Sequence, residues 1–286
     1  MTIVFDGIAL GMLLFLISVG LSVTLGLMNF VNLANGAFAM LGGYVGVLLV
    51  NRWGVPFLGA LALSTLCSLV VGATLERLLY RRLYAASHMD HVLFTVGLIF
   101  VSISLAAYFF GSGVQVIELP AFLQGRIEAF GVGFDSYRSF LIVVAIAIAA
   151  ALQRILTSTR FGASLRAAVD NPRTARGVGI EVDRIFTITF AVGSALAGLG
   201  GALGTQMLGL DPVFAIKYVV YFLIVVIMGG PGSIRGSFLA SMSIGVFDVV
   251  GKYYVPELGA FVIYVLMLAV LVARSRGLLP KFGGRS

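Results

Sequence analysis

Charge is scarce in this chain. Of 286 residues, 11% are charged and 60% hydrophobic, and the mean hydropathy is +1.08. A soluble domain carries about 25% charged residues, so that class is excluded. Cysteine is almost absent, and the single Cys67 rules out an internal disulfide and a cysteine metal cluster. His88 and His91, in HMDH, have a ligand-like spacing, but no third or fourth ligand lies near them in sequence, so metal binding is not expected. No GxxxxGK[ST] stretch occurs, which excludes an ATPase of the P-loop kind. No serine, histidine and carboxylate set falls at one membrane depth, so an intramembrane enzyme has no support. The apolar runs hold almost no acidic residues. Glu76 and Asp248 lie near run ends, where they are expected to snorkel towards water. An ion-coupled carrier usually needs a buried carboxylate, so this scarcity argues against secondary transport, although backbone carbonyls also bind sodium. The N-terminus carries Asp6 and no basic stretch, so the first run is expected to be retained rather than cleaved.

What is present is a series of continuous apolar runs, each roughly 20 residues long, as a helix crossing about 30 Å of hydrocarbon requires. An outer-membrane barrel would instead show about ten-residue alternating segments. The runs fall near 7–27, 33–50, 56–76, 92–110, 138–157, 185–208, 215–230, 236–251 and 258–273. The expected fold is therefore all-α, a polytopic transmembrane protein of eight to ten spans with nine favoured, forming a single domain over 1–286. With the N-terminus outside, the inner loops hold Arg77, Arg81, Arg82, Arg154, Arg160, Arg166, Arg173, Arg176, Arg184, Arg235, Arg274, Arg276, Lys281 and Arg285. Only Arg52, Arg126, Arg138, Lys217 and Lys252 remain outside. This split of the 19 basic residues follows the positive-inside bias and predicts N-out and C-in. The net charge of +7 is read as the same bias, not as nucleic-acid binding.

Three polar interruptions stand out. Asn29, Asn32 and Asn35, followed by Gly36, break the first apolar stretch. Their spacing of three puts them on one face of a helix. They satisfy broken backbone groups and cap the next helix, or line a polar path, and both can hold at once. The turn 229–236, GGPGSIRG, echoes this break at an offset of 200 residues, through Met28 and Met228, Gly36 and Gly236, and Phe38 and Phe238. Interrupted spans at corresponding places in two halves can mark a transport path, which brings in Gly229, Gly230 and Gly232. The third interruption is GASLRAAVDNPRTARGVGIEVD, residues 162–183. It reads as one short helix, then a second with Asn171 at the N-cap, Pro172 at the first helical position and Gly179 at the stop. Arg166, Asp170 and Arg173 are spaced to pair with one another. Two capped helices in a twenty-residue cytoplasmic loop are more order than a linker needs. They predict presentation to a soluble partner. The segment 111–138 is the longest outer stretch, and its Pro and Gly argue against a long helix. The small-residue run Gly193–Gly204 is expected to serve close helix packing rather than a path.

Four segments carry a resemblance that runs nearly end to end. GLMNFVNLANGAFAMLGGY, STRFGASLRAAVDNPRTARGVGIEVDRI, TFAVGSALAGLGGAL and VIMGGPGSIRGSFLA are similar to motifs of the membrane permeases of branched-chain amino-acid ABC importers. One departure is Asn35, where that family usually has His. The resemblance implies a second homologous permease chain and two cytoplasmic ATPase chains. It also implies a periplasmic binding protein and a lipid bilayer, the bacterial inner membrane. Residues 158–184 become the coupling loop, with Arg166, Asp170, Asn171, Pro172, Arg173, Arg176 and Gly179 in the ATPase contact. The asparagine break and the late turn become the substrate path. The chain then binds no cofactor and catalyses nothing, with ATP and Mg on the partner ATPase. The alternatives are a urea or short-amide permease of the same family, a self-contained secondary carrier or channel, and a structural membrane protein.

Overall fold

The computed structural model describes residues 2–28, 32–83, 86–129 and 132–257, with isolated positions between 261 and 272. Among these residues the fold is a helical bundle with one small β-hairpin. Helix α1 (Thr2–Met28) leads to α2 (Asn35–Val47), which a π-helical turn extends to Arg52. Helix α3 (Phe57–Leu75) continues through a π-helical turn, Glu76–Tyr80, into the short α4 (Arg81–Leu83). Helix α5 (His88–Phe110) begins at a capping box of Ser87 and Asp90. The 111–135 segment then crosses the bundle end and includes β1 (Arg126–Ala129) and β2 (Val132–Asp135), an antiparallel pair with Arg126 opposite Asp135. Asp135 caps α6 (Ser136–Ser158) by accepting from the amides of Tyr137 and Arg138. The short α7 (Arg160–Asp170) and α8 (Pro172–Gly177) follow, then α9 (Val182–Leu208), α10 (Phe214–Gly229) and α11 (Ile234–Tyr254).

Among the described residues six helices are long and apolar enough to cross a membrane: Thr2–Gly26, Phe57–Leu83, Met89–Phe110, Ser136–Ser158, Val182–Leu208 and Ile234–Tyr254. The expected count of nine is not reached, for a physical reason. Helix α10 is apolar but has 16 residues, and α2 has 13 before its π-helical turn. At 1.5 Å per residue these rise about 24 and 20 Å, short of about 30 Å of hydrocarbon. The expected run over 258–273 falls mostly outside the described residues. The all-α expectation also needs the hairpin added.

Helix α9 is the axis on which the bundle is assembled. A Cβ on Gly20 of α1 would lie 2.5 Å from the carbonyl oxygen of Gly193, and one on Gly72 of α3 would lie 2.5 Å from the Ser194 side chain. Gly42 of α2 seats against Gly198 in the same way. The small-residue run of α9 therefore serves close packing, as its composition predicts. In lipid the apolar surroundings give helices no hydrophobic reason to associate, so backbone approach and dispersion must do it. On its other side α1 runs against α11, where a Cβ on Gly11 would come within 2.7 Å of the Ser241 carbonyl. Large apolar side chains stay exposed on α3, α5 and α6, for example Leu66, Phe100 and Val143.

Contacts sort the loops between two ends of the bundle. At one end Asp6 pairs with Arg138, Asn51 donates to the Val116 carbonyl at 2.8 Å, and Gln115 bridges to Leu210. At the other end Arg81 and Arg176 meet Asp183. The second end carries α7 and α8, and the turn between α10 and α11 seats against the last turns of α1 there.

Candidate functional site

The 158–184 loop folds as its sequence predicts. Thr159 caps α7 by accepting from the Gly162 amide at 3.3 Å. Asn171 ends α7 and caps α8, its side chain accepting from the Thr174 amide at 3.0 Å, with Pro172 at the first helical position. Gly179 adopts φ +85°, a conformation that favours glycine, and its amide bonds the Arg176 carbonyl at 3.1 Å. Leu165, Ala168 and Ala175 face inward, and Ala168 and Ala175 cluster with Val182. Arg166, Asp170, Asn171, Pro172, Arg173, Arg176 and Gly179 all face outward. The loop thus holds a rigid, polar, basic surface against the ends of α1, α6 and α9.

The ion pairs are not those that spacing predicts. Arg166 does not reach Asp170; it donates to the Leu156 carbonyl, one of the last four carbonyls of α6, which have no partner within their own helix. Arg176 pairs with Asp183 at 2.8 Å, and Arg81 pairs with the other oxygen of the same carboxylate. Asp183 sits in the first turn of α9, where the helix dipole favours an anion. One carboxylate therefore ties the 158–184 loop, the short α4 and the start of α9. Sequence reasoning missed this clasp because its members lie 102 and 7 residues apart. All three side chains are about half exposed, so each pair contributes at most about 1 kcal/mol.

The asparagine break is buried inside the bundle. Asn29 lies outside the described residues. Asn32 precedes α2 and Asn35 opens it, so the two do not share a helical face. Neither caps α2, whose N-cap is Ala34 without a side-chain bond. The Asn35 amide donates to the Ile17 carbonyl at 2.5 Å, and Asn32 accepts from the Tyr80 hydroxyl at 3.1 Å. Ile17 lies eleven residues before the end of α1, about 16 Å along its axis. Helix α2 thus begins beside the middle of α1. The two amides bond polar groups of neighbouring elements, the Ile17 carbonyl inside α1 and the Tyr80 hydroxyl, and the expected cap on α2 is not formed. Gly36 is a close approach: a Cβ there would lie 3.0 Å from the Ala215 carbonyl of α10.

The late turn lies against α1. Gly230 and Gly232 adopt φ +84° and +79°, and the Gly232 amide donates to the Ser22 carbonyl at 2.9 Å. Gly229 packs on the backbone of Gly236 and Ser237, and Ser237 meets Ser22 hydroxyl to hydroxyl at 2.8 Å. Both breaks thus lead into helices with buried starts, α2 and α11, and both are stitched to α1.

Two carboxylates overturn the snorkelling expectation. Glu76 is 1% exposed, with the Thr187 hydroxyl 2.6 Å from its Oε2. Asp248 is 2% exposed and accepts from Lys252 at 2.7 Å and from the Tyr221 hydroxyl at 3.3 Å. Each is buried with a donor from another helix, Thr187 of α9 for Glu76 and Tyr221 of α10 for Asp248, which hydropathy along the chain does not show. His91 Nε2 donates to the Leu83 carbonyl at 2.8 Å. An apolar cavity of about 200 Å³ separates α7 from α1, α6 and α9; its lining includes Val23, Leu156, Phe161 and Leu165.

The bundle thus carries two breaks stitched to α1 and an outward-facing basic loop. The family described as the permease component of the branched-chain amino acid transport system matches residues 3–271, and the chain belongs to it. It is 25% identical to the high-affinity branched-chain amino acid transport system permease protein LivH of Salmonella typhimurium, over 97% of this chain and 94% of that protein. It is 24% identical to the corresponding protein BraD of Pseudomonas aeruginosa, over 96% and 94%. The probable branched-chain amino acid transport permease protein LivM of Methanocaldococcus jannaschii is 23% identical over 59% of this chain and 52% of that protein.

Proposed function

We propose that this chain is the membrane permease of an ATP-driven importer that brings branched-chain or related amino acids across the bacterial inner membrane. The observation that carries this is the α7–α8 loop: two capped helices, clasped by Asp183 to α4 and the start of α9, with Arg173 and its neighbours facing outward. A second permease chain completes the pathway. Two ATPase chains dock on the loops, with ATP and Mg held there, and a periplasmic binding protein delivers the cargo. The chain is one permease domain, with the N-terminus outside, the C-terminus inside and the short α2 and α10 inserted in the membrane beside the six long helices. The basic-residue split and the two-ended sorting of the loops support this topology.

Movement of the ATPase pair pulls α7 and α8. The Asp183 clasp passes that pull to α9 and α4, and Tyr80 in the π-helical turn after α3 carries it to Asn32 at the break. Reconstitution tests the reading. Proteoliposomes holding this chain, its partner permease and the ATPase are given external binding protein and labelled L-leucine. ATP-dependent uptake is expected, and uptake that needs neither ATP nor the ATPase would overturn the reading.

A self-contained carrier is the second reading, and the buried Glu76 and Asp248 favour it. The same experiment separates the two, since a carrier works without the ATPase and responds to an imposed ion gradient.

A further inference from the structure

We propose that Asp211, Lys217, Tyr221, Asp248 and Lys252, with Tyr44 beside them, receive the ammonium and carboxylate groups of an α-amino acid at the bundle end that carries the 111–135 segment. The proposal rests on the reading that an amino acid is the cargo. It concerns residues that no motif of the sequence points to.

The groups form an unbroken chain of contacts. Lys217 Nζ lies 3.6 Å from Asp211 Oδ2 and 5.4 Å from the centre of the Tyr218 ring. The Tyr218 and Tyr221 rings are 5.9 Å apart. The Tyr221 hydroxyl donates to Asp248 Oδ1, and Lys252 Nζ donates to Asp248 Oδ2. Two carboxylates and two ammonium groups thus alternate along one face of α10 and α11, with tyrosines between them. Lysine and tyrosine at helix ends are ordinary interfacial anchors. This chain of groups goes deeper. Tyr221 lies seven residues inside the start of α10 and Asp248 six before the end of α11, about 10 Å into the bundle. A carboxylate held there at 2% exposure is costly and marks a polar path.

An independent observation points to a ligand. The Tyr44 hydroxyl and Asp211 Oδ1 are buried and have no hydrogen-bond partner among the described residues. Buried polar atoms almost always have partners. Tyr44 is 4% exposed and stacks on Phe110 with ring centres 4.3 Å apart. Its neighbour Gly43 seats on Leu210, the residue before Asp211: a Cβ there would lie 2.9 Å from Leu210 Cδ2. A phenol oxygen and a carboxylate oxygen are acceptors suited to an ammonium group. The ammonium groups of Lys217 and Lys252, on side chains about half exposed, suit a carboxylate. A zwitterion supplies both charges at once, and an uncharged amide supplies neither.

The test uses the full complex in proteoliposomes, with ATP inside and binding protein and labelled L-leucine outside. Uptake and ATP hydrolysis are measured together for Asp211→Asn, Asp248→Asn, Lys217→Gln and Tyr44→Phe. Expected is a fall in uptake per ATP of about tenfold for Asp211→Asn and Asp248→Asn and at least threefold for the other two. Stimulated ATP hydrolysis stays within twofold of wild type. If Asp248→Asn does not reach the membrane, the decision rests on Asp211→Asn and on Lys217→Gln, whose side chain is half exposed. Unchanged uptake per ATP in variants of a transporting wild type overturns the site alone. A wild type without ATP-dependent uptake overturns the transport reading, and the site with it.

Discussion

The Tyr80 hydroxyl donates to the side-chain oxygen of Asn32 at 3.1 Å, and this bond joins the π-helical turn after α3 to the break before α2. Tyr80 is fully buried, its ring centre 4.5 Å from that of Phe190 and 5.1 Å from that of Phe94. One residue away, Arg81 reaches the Asp183 clasp. The π-helical turn Glu76–Tyr80 therefore stands between the 158–184 loop and the buried start of α2.

Tyr80→Phe keeps the ring packing and removes only the donor. Leaving a buried acceptor without this partner costs about 1–3 kcal/mol. A lower melting temperature of the detergent-solubilised complex is expected, together with reduced uptake. An unchanged melting temperature would show that Asn32 finds another donor.

Asp183→Ala separates the two effects. Its half-exposed ion pairs contribute at most about 1 kcal/mol each, so the melting temperature should move by only a few degrees. Uptake per ATP should fall severalfold because α8 is no longer tied to α4. Thermal unfolding and coupled uptake, measured on one preparation, check both halves.

Arg173 is exposed in α8, and no ion pair is seen for it among the described residues, so it is available to a partner. Arg173→Glu is expected to insert normally and to lose most ATPase docking, since like charges at a polar interface repel. Co-purification with the ATPase measures this. Normal docking and wild-type uptake would remove Arg173 from the coupling surface.

Gly36→Leu is expected to abolish uptake by forcing α2 away from the α10 backbone, which a Cβ already meets at 3.0 Å. Asn35→His keeps an N–H donor for the Ile17 carbonyl and should retain most uptake, whereas Asn35→Leu should not. Uptake assays at matched membrane levels rank the three. Robust uptake by Gly36→Leu would place the break outside the moving parts.

Topology is tested with single cysteines at Thr174 and Phe122 in a Cys67→Ala background. An impermeant thiol reagent applied outside intact cells should label Phe122→Cys and spare Thr174→Cys. Labelling of both from the same side would overturn the N-out arrangement.

Much of the fold was legible from local signals. The apolar runs place the helices, Asn171-Pro172 places the boundary between α7 and α8, and Gly179 places the stop, because caps and glycine conformations act within a few residues. The partners of Arg166 and Arg176 were not legible. Helical spacing offers Asp170, while the folded chain offers the free end of α6 and the first turn of α9. The run 33–50 marks the helix that spans α2 and its π-helical turn, but not how that helix sits in the bundle. Only the bond from Asn35 to Ile17 reveals how deep the helix begins.

The sequence by itself determined that this is a polytopic membrane protein with a presented basic loop. Those properties follow from hydropathy, charge bias and capping, which are sums over neighbours along the chain. Only the tertiary structure decided that Glu76 and Asp248 are buried and that Asp183 joins three elements. It alone decided that Tyr44 and Asp211 hold polar atoms with no partner among the described residues at one end of the bundle. The physical reason is that burial of a charge or a hydroxyl depends on the donors that other helices bring to it, and those donors lie far away in sequence.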